Sequence, residues 1–270
     1  MSIESLGPGG LDYLPCRYGN SKVLFRGPRR SLDAPFVAFF GGSATYGKFV
    51  RTPFPDLVEQ SLGTTCVNFG SLNGGVDVFA TDPYLREVSG MAQTTVIQIT
   101  SPRNMSNRFY RVHPRRNDRF VEASSLLRAI YREVDFAEFN FTNHMLSRLH
   151  LVSPERFQTV VEELQMAWVA RMRLVLSQIP GRTVLLWAGC HAPEEAAIDL
   201  DSDLGLVSRD MVNKVSELAT EYVEAVMSED AVKAGTEGMV FGEMDAPAAK
   251  TMLGPVAHRE IAQALVSVLN

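Results

Sequence analysis

The chain has 270 residues, enough for one large α/β domain or two small ones with a sizeable buried core. Its 26 Lys and Arg against 31 Asp and Glu give a net charge of −5, which argues against bulk attraction to nucleic acid or an anionic membrane. No run approaches the roughly 18 apolar residues that a membrane span needs, and MSIESLGPGG lacks the basic and apolar regions of a secretory signal. Three separated cysteines, Cys16, Cys66 and Cys190, contain no CxxC pair and read as reduced thiols. The expectation is a cytoplasmic protein without membrane span, metal or cofactor.

In chain order, residues 1–34 are rich in Gly, Pro and Arg and are expected to form an irregular surface arm. Short apolar runs then read as strands at 36–41 (FVAFFG), 65–69, 94–100, 183–188 and 238–242. Their near-continuous Val, Ile, Leu and Phe content suits strands covered on both faces. Between them, 53–63 reads as a short helix ending near Gly63. SPERFQTVVEELQMAWVARMRLVLSQIPG is a long helix with Ser153 as cap, Pro154 in its first position and Pro180-Gly181 as its stop. In it, Met166, Trp168, Met172 and Leu176 read as a core stripe. Residues 208–227 read as one helix capped by Ser208, and the last helix starts at Pro255. No repeat or linker interrupts the pattern, so residues 1–270 read as a single α/β domain built on a doubly wound, mostly parallel, flavodoxin-like three-layer sheet.

Ligands of such sheets sit at the carboxyl ends of the strands, so the residues just after each apolar run are informative. Those residues are Gly41, Gly42 and Ser43, then Asn68, Gly70, Asn73 and Gly74. The third strand adds Thr100, Ser101, Arg103 and Asn104; the fourth adds Cys190 and His191; the final loop and helix add Asp245 and His258. A hydroxyl, two imidazoles and amide donors on one edge suit acyl transfer, which needs a nucleophile, a base and donors for an oxyanion. Ser43 also reads as a turn residue or helix cap, or as part of a backbone anion cradle. His144 and His150 stand six apart without acidic neighbours, which does not suit a metal site.

These segments resemble the SGNH (GDSL-type) hydrolases. FFGGSATYG is similar to that family's first block, VNFGSLNGG to its second, VIQITSPRNMSN to its third and LGPVAHREIAQAL to its ending. The resemblance implies Ser43 as nucleophile, the Gly70 amide and the Asn104 side chain as oxyanion donors, and His258 as base, with His191 its rival and Asp245 a candidate to orient either ring. The chain departs from the family at Gly42, where aspartate is usual, at Pro102-Arg103-Asn104-Met105, and at Pro255, three residues before His258 where the family has aspartate. The whole chain also resembles an uncharacterised alphaproteobacterial family of unknown function.

From Ser101 to about Leu151 runs a helical or irregular insert after the third strand, with arginines at 103, 108, 111, 115, 116 and 119. It reads as a lid whose Arg103 and Arg108, with His191 and Asn73, would bind a small, anionic, acylated substrate. The alternative is an ion-paired or oligomer-contact segment. Two functions follow: a serine esterase, deacetylase or acyltransferase, or a non-catalytic binding protein on the same scaffold. The arginine cluster alone motivates a third, sulfuryl or phosphoryl transfer.

Overall fold

A computed structural model describes residues 10–193, 198–200, 202 and 204–270. The strands among them are β1 (Phe36–Gly41), β2 (Thr65–Gly70), β3 (Thr94–Gln98), β4 (Tyr110–His113), β5 (Arg116–Ala123), β6 (Arg182–Gly189) and β7 (Glu221–Val226). Five form a parallel sheet in the order β2-β1-β3-β6-β7, and β4 and β5 pair as a separate antiparallel hairpin. The chain winds from β1 out to β2, then crosses back to β3 on the other side of β1. That reversal opens a crevice at the carboxyl ends of β1 and β3.

Helices cover both faces. They are α1 (Ser43–Tyr46), α2 (Phe54–Leu62), α3 (Val76–Thr81), α4 (Pro83–Met91), α5 (Ser125–Ile130), α6 (Thr142–Val152), α7 (Pro154–Ser177), α8 (Arg209–Ser216), α9 (Glu229–Ala234), α10 (Ala246–Ala249) and α11 (Pro255–Leu269). Successive strand residues point to opposite faces. Phe36, Ala38 and Phe40 of β1 therefore join Trp168 and Met172 of α7 and Val212 of α8 in one core. Val37 and Phe39 join Phe54 of α2 and Ile261 and Leu265 of α11 in the other. Each Val, Ile, Leu, Met or Phe side chain among them contributes about 1.5–3 kcal/mol when fully buried.

The long helix α7 serves two cores. Ser153 caps it by accepting from the Arg156 amide, and Pro154 occupies its first turn. Its first half sets Phe157, Val160, Val161 and Leu164 against Phe109, Tyr110 and Phe120 of the insert, a third hydrophobic cluster. Its second half packs on the sheet through Trp168, Met172 and Leu176. Met166 does not belong to that stripe: two residues before Trp168 it lies about 200° around the helix, and it is 59% exposed.

Four of the expected strands form; the fifth lies elsewhere. Residues 208–227 divide into α8 and, from Glu221, the edge strand β7, which turns Val223 and Ala225 inward. An edge strand tolerates outward charge, and here Arg182 pairs with Glu221 at 2.6 Å and Arg209 with Glu224 at 2.7 Å. Residues 238–242 form no strand; the Val240 amide donates to the Phe49 carbonyl at 2.8 Å and the Phe241 ring packs edge-on against Phe49. The insert is not merely helical or irregular, since its β4–β5 hairpin alternates Tyr110 and Val112 inward around exposed Arg111. The arm enters the core: Tyr18, Val23 and Phe25 are buried, with Phe25 edge-on to Phe69 at 5.3 Å.

Trp168 links core to crevice, its indole N–H donating to the Thr100 carbonyl at 2.8 Å beyond β3. Trp168→Phe should lower the unfolding free energy by about 1–3 kcal/mol and Trp168→Ala by about 3–5 kcal/mol, read from urea denaturation. A loss below about 0.5 kcal/mol in Trp168→Phe would show that the indole N–H contributes nothing.

Candidate functional site

Ser43 opens α1, a single helical turn held by side chains from three other elements. From β3, the Gln98 Oε1 accepts from the Gly42 amide (3.2 Å), the Thr45 amide (3.2 Å) and the Thr45 hydroxyl (2.6 Å). From β2, Asn68 donates through Nδ2 to the Thr45 carbonyl at 2.7 Å and accepts the Gly70 amide at 2.9 Å. From the arm, Arg26 donates to the Tyr46, Gly47 and Arg51 carbonyls. The packing is close enough to demand glycine at position 41, where a Cβ would lie 1.9 Å from Thr45 Oγ1, and at position 70, where it would lie 2.3 Å from the Tyr46 nitrogen.

Ser43 is 6% exposed and lies on the wall of a cleft of about 410 Å³ at the crevice between the strand ends. Its hydroxyl donates to Asn73 Oδ1 at 3.1 Å and accepts the Asn73 backbone amide at 2.9 Å. A hydroxyl offers one proton and two lone pairs, so one lone pair remains for another partner. Asn73 sits in the left-handed region (φ 53°), which asparagine tolerates better than most side chains. Asn104 is buried beside it, with Nδ2 3.4 Å from the Asn73 carbonyl and Oδ1 accepting from Thr142 at 3.1 Å. That arrangement leaves the second Nδ2 hydrogen of Asn104 for an incoming oxygen.

His191 lies on the same cleft at the end of β6, with Nδ1 3.0 Å from the Ala192 carbonyl. A carbonyl only accepts, so this contact places the proton on Nδ1; Nε2 takes no hydrogen bond from the described residues. Cys190 and Lys250 also line the cleft. Desolvation pushes the Cys190 thiol up, which disfavours the thiolate.

Several expected residues lie elsewhere or are already occupied. The Gly70 amide is bound by Asn68; the backbone amide that reaches Ser43 belongs to Asn73. His258 is 1% exposed and does not line the cleft: its Nδ1 accepts the Phe54 amide at 3.0 Å and its ring stacks on Phe54. Burial, reinforced by the nearby Arg26 charge, pushes its pKa down to about 3, so it stays neutral. Arg103 donates to the Leu200 carbonyl at 2.5 Å and to Asn143 Oδ1, and Arg108 pairs with Glu163 at 2.6 Å; neither lines the cleft. Asp245 is exposed in a 3-10 turn away from it. His144 and His150 pack their rings on Phe139 and Phe157.

Two residues that matter were not singled out in the sequence. Gln98 stands inside the apolar run VIQIT, and an amide in a doubly covered strand must find hydrogen-bond partners; that was the available signal. Asp118, whose Oδ2 accepts Asn73 Nδ2 at 3.0 Å, was hidden among arginines.

Fold and site thus define a three-layer α/β protein with a polar, serine-bearing cleft at the carboxyl edge of its sheet. The chain belongs to the family described as a domain of unknown function (DUF6473), whose profile matches residues 1–270. No curated protein matches it. Among solved structures it is similar to the lipase Lip_vut3 from a goat rumen metagenome, at 10% identity and a TM-score of 0.44, over 87% of this chain and 97% of that one. That likeness is too distant to carry an argument about chemistry. Among the described residues, no helix is long and apolar enough to cross a membrane.

Gln98→Leu removes one acceptor from three donors, so it should cost about 3 kcal/mol or more in urea denaturation; a loss below about 1 kcal/mol would mean that these donors find other partners. His258 gives a pH signature. Between its ordinary value near 6.5 and about 3, the unfolded chain takes up a proton that the folded chain refuses. Its contribution is therefore present above pH 6.5 and is lost as pH falls toward 3, with a slope of up to about 1.4 kcal/mol per pH unit. His258→Asn should flatten the unfolding midpoints between pH 7 and 4; an identical pH profile would refute this assignment.

Proposed function

We propose that this chain is a serine-dependent acyl-transfer enzyme of SGNH-like architecture, an esterase, deacetylase or acyltransferase for a small acylated substrate. The observation that carries the reading is the cleft-wall hydroxyl of Ser43 with a main-chain N–H, that of Asn73, 2.9 Å from its oxygen. An acyl carbon bonded to Ser43 Oγ would set its carbonyl oxygen beside that N–H and within reach of the Asn104 amide. Donors fixed before the reaction stabilise the developing charge without reorganisation.

In this reading Ser43 Oγ attacks the acyl carbon, and its proton passes to Nε2 of His191. The tetrahedral oxyanion rests on the Asn73 N–H and Asn104 Nδ2. Collapse breaks the bond to the leaving alcohol or amine, which takes the proton from His191, and an incoming water or hydroxyl reverses the steps. The Ala192 carbonyl fills the orienting role that a carboxylate has in many triads. β1 and β6 are separated by β3, so their ends lie about 10 Å apart, a gap for two side chains and the reacting group or one water.

A non-catalytic ligand-binding protein is the second reading. It is favoured by the resting bond in which the Ser43 proton goes to Asn73 Oδ1 rather than to a base. A fluorophosphonate probe with peptide mapping separates the two. Enzyme chemistry predicts labelling at Ser43, none in Ser43→Ala, and a rate about 10²–10⁴-fold lower in His191→Ala. An unlabelled, folded wild type moves the assignment to ligand binding.

A further inference from the structure

We propose that Asp118, carried on the β4–β5 hairpin, is a positioning residue for Ser43 that acts through Asn73; this rests on Ser43 being the nucleophile. An ionised carboxylate only accepts hydrogen bonds, so the amide end facing Asp118 Oδ2 at 3.0 Å must be the NH2 of Asn73. The other end, Oδ1, is thereby turned to Ser43 and accepts its hydrogen bond at 3.1 Å. The backbone N–H of the same residue meets Ser43 Oγ at 2.9 Å. One residue therefore fixes both the proton and a lone pair of the hydroxyl, and Asp118 decides which way round its amide stands.

The geometry needs such an anchor. Asn73 holds a left-handed backbone conformation that costs energy for any residue but glycine, and it is tied at several atoms. The hairpin grips the same loop twice, because Asn117, fully buried next to Asp118, accepts the Gly75 amide at 2.9 Å. Thr142 at the start of α6 completes the frame, donating toward Asn104 Oδ1 (3.1 Å) and the Asp118 carbonyl (3.3 Å). The insert thus acts on the nucleophile through a carboxylate rather than through its arginines. Without that carboxylate the Asn73 amide is free to turn over. Its NH2 would then donate to Ser43 Oγ and engage the remaining lone pair, the one that attacks.

The test combines probe kinetics with crystal structures of the wild type, Asp118→Ala and Asp118→Asn. For the fluorophosphonate, Asp118→Ala should lower the maximal labelling rate about tenfold, the equivalent of one charge-assisted hydrogen bond, with the half-saturating probe concentration unchanged. Asp118→Asn, which can still present an oxygen to Asn73 Nδ2, should recover most of the rate. Adding Asp118→Ala to Asn73→Ala should have no further effect, because the first acts through the second. Glu122→Ala, which breaks an exposed pair with Arg111 in the same hairpin, should leave labelling unchanged. In the Asp118→Ala crystal the Asn73 side chain should have left or turned over from Ser43. An unmoved Asn73, an unchanged rate or additive effects in the double variant would each overturn the proposal. If the wild type is never labelled, the nucleophile reading fails instead, and the crystal structures still decide whether Asp118 sets Asn73 and Ser43.

Discussion

The site depends on one side-chain oxygen. Gln98 Oε1, projecting from the end of β3, gathers two backbone amides and a hydroxyl from the turn that follows β1. Without it, buried donors at Gly42 and Thr45 would face apolar surroundings, at about 1–3 kcal/mol each. With it, the end of β1 is fixed to the end of β3 across the very crevice where the winding of the sheet reverses. Asn68 from β2 and Arg26 from the arm fix the same turn from the other side, so Ser43 is carried by a short helix with little freedom of its own. A hydroxyl held this firmly needs no flexible loop to find its place.

The constraint explains why the arm and the insert are integral parts of the fold. Arg26 is a buried guanidinium whose bonds run to carbonyls, and burial lowers its pKa while Asp56 opposes the shift. Burial in turn raises the pKa of Asp56. Such a charge is tolerable only where the carbonyls it meets would otherwise be unsatisfied, and α1 ends by exposing such carbonyls at Tyr46 and Gly47. The insert answers a matching need at the loop after β2, beside Ser43. It could not hold Asn73 and Gly75 without a core of its own, and the first half of α7 supplies the apolar face for that core.

How much of this was legible follows from the same physics. β1, β2, β3 and β6 were readable because strands covered on both faces are mostly apolar, and runs this short and rich in β-branched and aromatic residues favour strand over helix. β7 was not: with Glu221 and Glu224 three apart among apolar residues, the segment imitates an amphipathic helix, and only pairing with β6 decides between them. Ser43, Asn73, Asn104 and His191 could be placed on one edge because the carboxyl ends of parallel strands share it. The sequence could not say which polar groups were already engaged. Gly70, His258, Arg103 and Arg108 have suitable chemistry, and each is engaged by a partner. Asn68 stands only two residues from Gly70, whereas Leu200 is 97 residues from Arg103 and Phe54 is 204 from His258.

That distinction between engaged and available groups also shapes the chemistry. His258 has the right type and a helix of the right kind, yet with Nδ1 bonded to the Phe54 amide and its ring against Phe54 it cannot accept a proton without breaking the contact that buries it. Arg26 nearby would add repulsion to that cost. His191 is the reverse: among the described residues its ring makes one hydrogen bond, to a carbonyl, which specifies a tautomer and leaves the other nitrogen available. Ser43 and Asn104 share that property, each anchored through some of its hydrogen-bonding capacity and free in the rest. A catalytic or binding side chain must be held well enough to keep its place while retaining a valence for the ligand. In this cleft Ser43, Asn104 and His191 meet both conditions, and they come from the ends of three neighbouring strands, β1, β3 and β6.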